Sequence, residues 1–138
     1  MINRISLKAF VAATEDERRV SAALSIFVPS DSIFGTLAKG YFGNEIKILE
    51  SKIKKKESLI FFRVLMERLP KEERLRLHSE IPSRVDENCN FHMRLDKQAA
   101  YKGHVRLTDS KDAIDISVHI VFYPSRREEA MRIIGELV

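Results

Sequence analysis

The sequence predicts an α+β domain in which helices cover one face of a mostly antiparallel sheet. Three observations support this fold class: several segments alternate apolar and polar residues, apolar stripes with helical spacing follow capping signals, and no segment is repeated. The segments follow one another in the order β-α-β-β-α-β-β-β-α, which suits two layers. With 138 residues, 44% of them hydrophobic, the chain can form a single domain over residues 1–138 around one core.

The first half of the chain is predicted to contain three strands and a helix. Residues 4–11 alternate apolar and polar side chains, which indicates a strand. Thr14 and Glu17 have the spacing of a capping box and begin a helix with one apolar stripe. Residues 33–40 and 45–53 are predicted to be two strands joined by a glycine-containing turn.

The second half opens and closes with helices. Residues 58–69 have helical apolar spacing, and Pro70 suits the first turn of a further short helix. Residues 114–122 form an unbroken period-two apolar face, which predicts a strand. Ser125 and Glu128 make a second capping box before the last helix.

Between these elements, residues 84–103, RVDENCNFHMRLDKQAAYKG, predict a β-hairpin whose second strand continues to Leu107. A loop centred on Gln98 would place Arg94 across the hairpin from Lys102. Like charges directly opposite each other destabilise a sheet, so an anionic partner is the simplest reason to keep them.

The distribution of positive charge indicates a nucleic-acid partner. The formal net charge is +4 and the sequence pI is about 9.3. Lysine and arginine neutralise phosphates, and an exposed sheet suits RNA with unstacked or looped regions. Ordinary solubilising charges are the alternative. The predicted RNA-binding residues are Arg84, Arg94, Lys97, Lys102 and Arg106 in the hairpin, Lys54, Lys55 and Lys56 in a lysine run, and Arg126 and Arg127 at the last helix.

No catalytic residue, metal site or cofactor is predicted. The chain contains no GxxxxGK[ST], GxGxxG, CxxC or HExxH motif. Cys89 shares the apolar parity of the first hairpin strand, which predicts a buried thiol rather than a nucleophile. His92, His104 and His119 share the polar parity of three strands and could approach one another, but no fourth metal ligand of a suitable type is evident.

The composition predicts a cytoplasmic protein with no membrane partner. The single cysteine cannot form an internal disulfide, which fits a reducing compartment. No apolar run reaches the roughly 18–20 residues that a membrane span requires. The first residues alternate in polarity and lack the apolar segment of a signal peptide.

Four stretches of the chain resemble archaeal RNA-binding proteins described as predicted exosome subunits. They are AFVAATEDERRV, YFGNEIKILESKI, VDENCNFHMRLDKQAAYKG and YPSRREEA, which together span nearly the whole chain. The fold of that family is similar to that of the ribosomal protein that binds 5S ribosomal RNA. The resemblance implies RNA as the partner, exosome or ribosomal components as the wider setting, no metal or organic cofactor, and no assigned catalysis.

A protein-interaction module is the competing hypothesis. An open sheet face or an unpaired edge strand can dock a partner protein or form a homodimer. The long alternating arm over residues 109–123 could pair across a two-fold axis.

Overall fold

The computed structural model describes residues 1–12, 15–39, 45–122 and 126–138. In chain order its elements are β1 (Ile2–Val11), α1 (Glu17–Ser25), a 3-10 turn (Ser30–Ser32), β2 (Phe34–Lys39), β3 (Glu45–Lys54), α2 (Lys56–Arg68), α3 (Lys71–Ser79), α4 (Ile81–Arg84), β4 (Asn90–Asp96), α5 (Lys97–Tyr101), β5 (Ala113–Ile120) and α6 (Arg127–Leu137).

The five strands form one sheet in the order β2-β3-β1-β5-β4, and every neighbouring pair is antiparallel. One face of this sheet carries the core, because alternate side chains such as Leu7 in β1, Phe91 in β4 and Ile116 in β5 are buried there. All the described helices add side chains to the same core, among them Phe62 of α2 and Ile134 of α6. The predicted α+β fold class with helices against an antiparallel sheet is therefore confirmed.

The predicted elements outside the hairpin are found with shifted ends. The first helix is capped by Asp16, whose side chain accepts a hydrogen bond from the backbone nitrogen of Arg18 at 2.9 Å. The predicted caps Thr14 and Ser125 and the turn at residues 40–44 lie outside the described residues.

The predicted hairpin over residues 84–103 is wrong. The residues after β4 form the short helix α5, because the side chain of Asp96 accepts a hydrogen bond from the backbone nitrogen of Ala99 at 2.9 Å and so caps a helix. Gly103 follows with a φ of 85°, the left-handed conformation that commonly ends a helix. Downstream, Leu107 makes only an isolated bridge to Leu95.

This correction changes which strand edges are available to a partner. Strand β5 lies between β1 and β4, so the arm predicted over residues 109–123 cannot offer this strand for pairing across a two-fold axis. The outer edge of β4 is partly covered, since the backbone nitrogen of Thr108 donates to the carbonyl of Arg94 at 3.0 Å. Strand β2 pairs with β3 alone among the described strands and leaves its other edge open.

Cys89 precedes β4 in a turn, where it adopts a φ of 63°. Its side chain is buried, as its apolar parity predicted.

Candidate nucleic-acid interface

The sheet face opposite the core is polar, and no helix in the described part of the chain lies over it. We call it the open face. Because alternate residues of β1 point into the core, the intervening side chains point to the open face. These are Arg4, Ser6, Lys8 and Phe10. Antiparallel pairing aligns them with side chains of β3 and β5 in rows that run across the sheet.

One row is basic on three neighbouring strands. Arg4 lies opposite Lys54 of β3 on one side and opposite His119 of β5 on the other. Side chains directly opposite each other have Cβ atoms about 4.5–5.5 Å apart. Lys52 occupies the adjacent row, where it faces Ser6. We call Arg4, Lys52 and Lys54 the basic end of the open face.

None of these three cations forms an ion pair with a carboxylate in the described residues. The basic end therefore combines mutual repulsion with free charge, which is the property expected of a surface that binds an anion.

The charge of Arg4 is felt by its neighbour His119. The imidazole is half-buried, and its Nδ1 lies 2.8 Å from Oδ1 of Asn90. Burial lowers the pKa of His119, and the positive charge of Arg4 lowers it further, while Asp86 acts in the opposite direction. His119 is therefore neutral at pH 7, and the two full charges of this row belong to Arg4 and Lys54.

The predicted lysine run adjoins the basic end. Lys54 is the last residue of β3. Lys55 and Lys56 follow it at the start of α2, and their side chains are exposed. The backbone nitrogen of Lys55 donates to the carbonyl of Asn3 at 2.8 Å, which ties this connection to the start of β1. Lys55 adopts a φ of 55°, a conformation that is strained for any residue with a Cβ.

A second row on the open face is electrostatically balanced. It alternates in sign across four strands and consists of Glu50, Lys8, Asp115 and Arg94. The Nε of Arg94 donates to Oδ1 of Asp115 at 3.0 Å. Arg94 is thus opposite a carboxylate, not opposite Lys102 as the hairpin prediction required.

Lys97 lies in the interior and is only 4% exposed. Its Nζ donates to the carbonyl of Phe10 at 2.9 Å and to the carboxylate of Glu15 at 2.9 Å, and it also pairs with Asp112. Burial lowers the pKa of Lys97, but the hydrogen bonds to Asp112 and Glu15 outweigh it, so the pKa is raised. The ammonium group holds α5 to β1, to Glu15 before α1 and to Asp112 before β5, and these three acceptors occupy its three donors.

Arg84 and Arg127 also bind internal acceptors. Arg84 donates to the carboxylate of Glu80 at 2.9 Å and to the carbonyl of His92 at 3.2 Å. The Nε of Arg127 donates to the carbonyl of Val85 at 3.0 Å. Both guanidinium groups fix the chain around α4.

Lys102, Arg106 and Arg126 are exposed but lie apart from the basic end. Arg106 stands 3.7 Å from the carboxylate of Glu73 in α3, and Arg126 is the residue immediately before α6. Both of these helices pack on the core side of the sheet, whereas the side chain of Arg94 points to the open face.

Sequence reasoning missed Arg4, Lys8 and Lys52 as open-face cations. A signal for two of them was present, because Arg4 and Lys8 occupy the polar positions of a strand that the sequence did predict. The opposition of Arg4 and Lys54 had no such signal, since it depends on β1 and β3 pairing in a particular register across intervening elements.

The three histidines considered as metal ligands are placed differently. The Nε2 of His92 lies 2.7 Å from Oδ2 of Asp86, and His119 contacts Asn90. His104 lies after α5 and belongs to no strand. Among the described residues no group of three histidine, cysteine or acidic side chains is arranged to hold a metal ion. None of the helices found in these residues has the length and apolar character needed to cross a membrane.

Comparison with known proteins identifies archaeal relatives along almost the full chain. A family model described as RNA binding matches residues 4–120. An RNA-binding protein of Pyrococcus abyssi is 31% identical over 141 residues, which cover 97% of this chain and 92% of that protein. An uncharacterised protein of Methanocaldococcus jannaschii is 33% identical, with 96% and 94% of the two chains covered.

The fold is also found in solved structures. The crystal structure of an Archaeoglobus fulgidus protein of family DUF54 matches with a TM-score of 0.90 and 34% identity, covering 100% of both chains.

Proposed function

Because the chain belongs to this archaeal family of RNA-binding proteins, we propose that it binds RNA at the basic end of the open face and catalyses no reaction on it. One observation carries the choice of surface. Arg4 and Lys54 face each other across paired strands, and no carboxylate of the described residues neutralises either. A phosphate placed between them replaces repulsion by attraction and releases counterions into solution.

The neighbouring residues support this surface. Lys52 adds a third cation in the adjacent row that no carboxylate of the described residues pairs with, and Lys55 and Lys56 extend the charge beyond the end of β3. Lys55 has a positive φ, a backbone conformation that glycine would adopt without strain. Backbone strain of this kind is often found at functional sites. Rigid strands hold Arg4, Lys52 and Lys54, so little ordering of the backbone is needed on binding.

The experiment removes the charges and measures the salt dependence of binding. The variant Arg4→Gln/Lys52→Gln/Lys54→Gln should bind RNA more weakly, and the slope of log K against log salt should fall by about 2, at roughly 0.7 for each lost phosphate contact to a single strand. The matched control is Arg18→Gln/Arg63→Gln/Lys71→Gln, which removes three exposed helix cations that form no ion pair within the described residues. Equal slopes for the two variants would refute the open face as the RNA site.

A third variant tests the surface predicted from the sequence. Arg94→Gln/Lys102→Gln/Arg106→Gln removes the same formal charge, but Arg94 and Arg106 are paired with Asp115 and Glu73. Under our proposal its salt slope stays near that of the control. If the salt slope fell more in this variant than in the basic-end variant, the RNA site would be assigned to Arg94, Lys102 and Arg106 instead.

We propose that the protein acts in the cytoplasm in one of two settings. It is either an accessory of the archaeal exosome in RNA processing or degradation, or it binds ribosome-related RNA. The support is the resemblance of the four sequence stretches to predicted exosome subunits. Crosslinking RNA to the tagged protein in archaeal cells, followed by sequencing, tests this setting. If the crosslinked RNA is enriched in neither exosome substrates nor ribosomal RNA, both proposed settings are excluded.

A protein-interaction role is the alternative, and one observation favours it. Among the strands that the structure describes, β2 pairs with β3 alone and has an open outer edge, and Leu37 on β2 is 67% exposed. An open edge strand can pair with a second copy of the chain and form a homodimer. Light-scattering mass with and without RNA separates the two functions: a stable dimer that excludes RNA supports the interaction role.

A further inference from the structure

Two phenylalanines lie exposed on the open face, at the end opposite the basic one. Phe10 is 39% exposed and Phe34 is 45% exposed. Strand pairing fixes their direction: Phe34 stands in the row of Glu50 and Lys8, and Phe10 stands opposite Ile48. Both rings are therefore available to a ligand that presents apolar faces.

The two rings are spaced as separate platforms. Phe10 is on β1 and Phe34 on β2, with β3 between them. Two strand spacings amount to about 9.5 Å across the sheet, and the rows differ by a further step of about 7 Å along it. Neither ring pairs with an aromatic ring of the described residues, whereas Phe62 and Phe91 pack edge to face in the core with centroids 6.2 Å apart. Each exposed ring can therefore accept its own planar partner.

Cations lie on the open face between the rings and the basic end. Lys8 is the next open-face residue of β1 after Phe10, and it shares a row with Phe34, Glu50 and Asp115, while Lys52 lies in the row after that. Arg4 follows on the same strand, and about 20 Å of β1 separates it from Phe10. This surface therefore offers flat apolar groups at one end and cations along the path to the other.

A planar apolar group attached to a negatively charged backbone is the chemistry of a nucleotide. Bases in a duplex are stacked inside it and present mainly phosphates, whereas an unpaired strand exposes base faces that stack on aromatic side chains. We infer that the open face selects unpaired RNA, with bases stacked on Phe10 and Phe34 and phosphates directed along Lys8 towards Arg4 and Lys54. This inference rests on the proposed function and adds the class of RNA.

The test compares Phe10→Leu/Phe34→Leu with the unchanged protein. Leucine keeps an apolar side chain but removes the flat ring. Binding to an oligouridine, which forms no stable secondary structure, should weaken about 10-fold or more, since stacking on an aromatic ring contributes a factor of roughly 5 to 150 for each base. Binding to a short RNA duplex should stay unchanged, and so should the salt slope for the oligouridine, because no charge is removed.

Leu37→Ala is the matched control, because Leu37 is an exposed apolar residue of β2 on the opposite face, in register with Lys47. Unchanged oligouridine affinity in the double leucine variant overturns the inference, as does an equal loss for oligouridine and duplex. In both cases the proposed function still stands if the basic-end variant lowers the salt slope. An unmodified protein that binds neither RNA overturns both proposals.

Discussion

Arg4 and Lys54 lie directly opposite each other on the central strand β1 and its neighbour β3, with no carboxylate of the described residues paired to either. The same β1 carries Lys8, which lies between Glu50 and Asp115 and so has acidic neighbours on both sides. One strand thus presents a repulsive and an attractive arrangement on the same face, a few residues apart. This contrast gives the proposed site an internal control.

The first prediction concerns the stability of the free protein. Arg4→Gln should raise the free energy of unfolding by about 0.2–1 kcal/mol, because it removes repulsion between directly opposed like charges. Lys54→Gln should do the same, and the double variant should gain less than the sum of the two. Urea denaturation at low ionic strength measures these differences.

Lys8→Gln is the control for that series, since it removes a charge of the same sign from the same strand. Its attractive neighbours Glu50 and Asp115 predict a loss of stability instead of a gain. If Arg4→Gln and Lys8→Gln changed stability in the same direction, the repulsion at the basic end would not be significant.

The second prediction concerns the strained residue between β3 and α2. Lys55→Gly should stabilise the protein by about 1 kcal/mol, because glycine adopts a positive φ without the clash that a Cβ causes. The same change should weaken RNA binding if the lysine contacts phosphate. Lys55→Gln separates the two effects: it should weaken binding equally and leave the strain, and so the stability, nearly unchanged.

Local patterns in the sequence identified most of the fold. The alternation of residues 4–11 and 114–122 marked β1 and β5, and helical apolar spacing marked α2. The core and its opposite polar face follow from the same alternation. These features depend on neighbours within one segment, which is why a single sequence contains them.

The hairpin prediction failed where two local signals competed. Alternation through β4 suggested that the strand pattern continued, but Asp96 followed by a run of good helix formers favours a capped turn of helix. The proposed basic end was predicted only in part, since Lys54 belongs to the predicted lysine run but Arg4 and Lys52 were not identified. Arg4 and Lys54 are far apart in the chain, and only the register of β1 with β3 makes them neighbours.

The third prediction tests the structural role of Lys97. Lys97→Met should lower the free energy of unfolding by about 2–3 kcal/mol, because it leaves the carbonyl of Phe10 and the carboxylate of Glu15 without their buried donor. The salt slope of RNA binding should not change. A lower slope with full stability would instead make Lys97 a phosphate ligand.

The pH dependence of that effect has a definite sign. The pKa of Lys97 is raised in the folded protein by its hydrogen bonds to Asp112 and Glu15, which outweigh the effect of burial. Its contribution is therefore fully present below the pKa of an unfolded lysine and is lost as the pH rises through the folded value. The stability difference between the unchanged protein and Lys97→Met should shrink in strongly alkaline solution.

The last prediction uses His119 as a probe of the basic end. Burial and then the charge of Arg4 lower its pKa, so the folded state binds fewer protons than the unfolded chain near pH 6. That part of the stability is present above the pKa of an unfolded histidine and is lost as the pH falls towards the folded value. Arg4→Gln should raise the pKa of His119, as followed by NMR titration of the imidazole, and should weaken this acid sensitivity.

RNA added to the unchanged protein should raise the same pKa, because a phosphate near Arg4 favours the imidazolium ion. An RNA complex in which the pKa of His119 stays at its free value would place the phosphates away from Arg4.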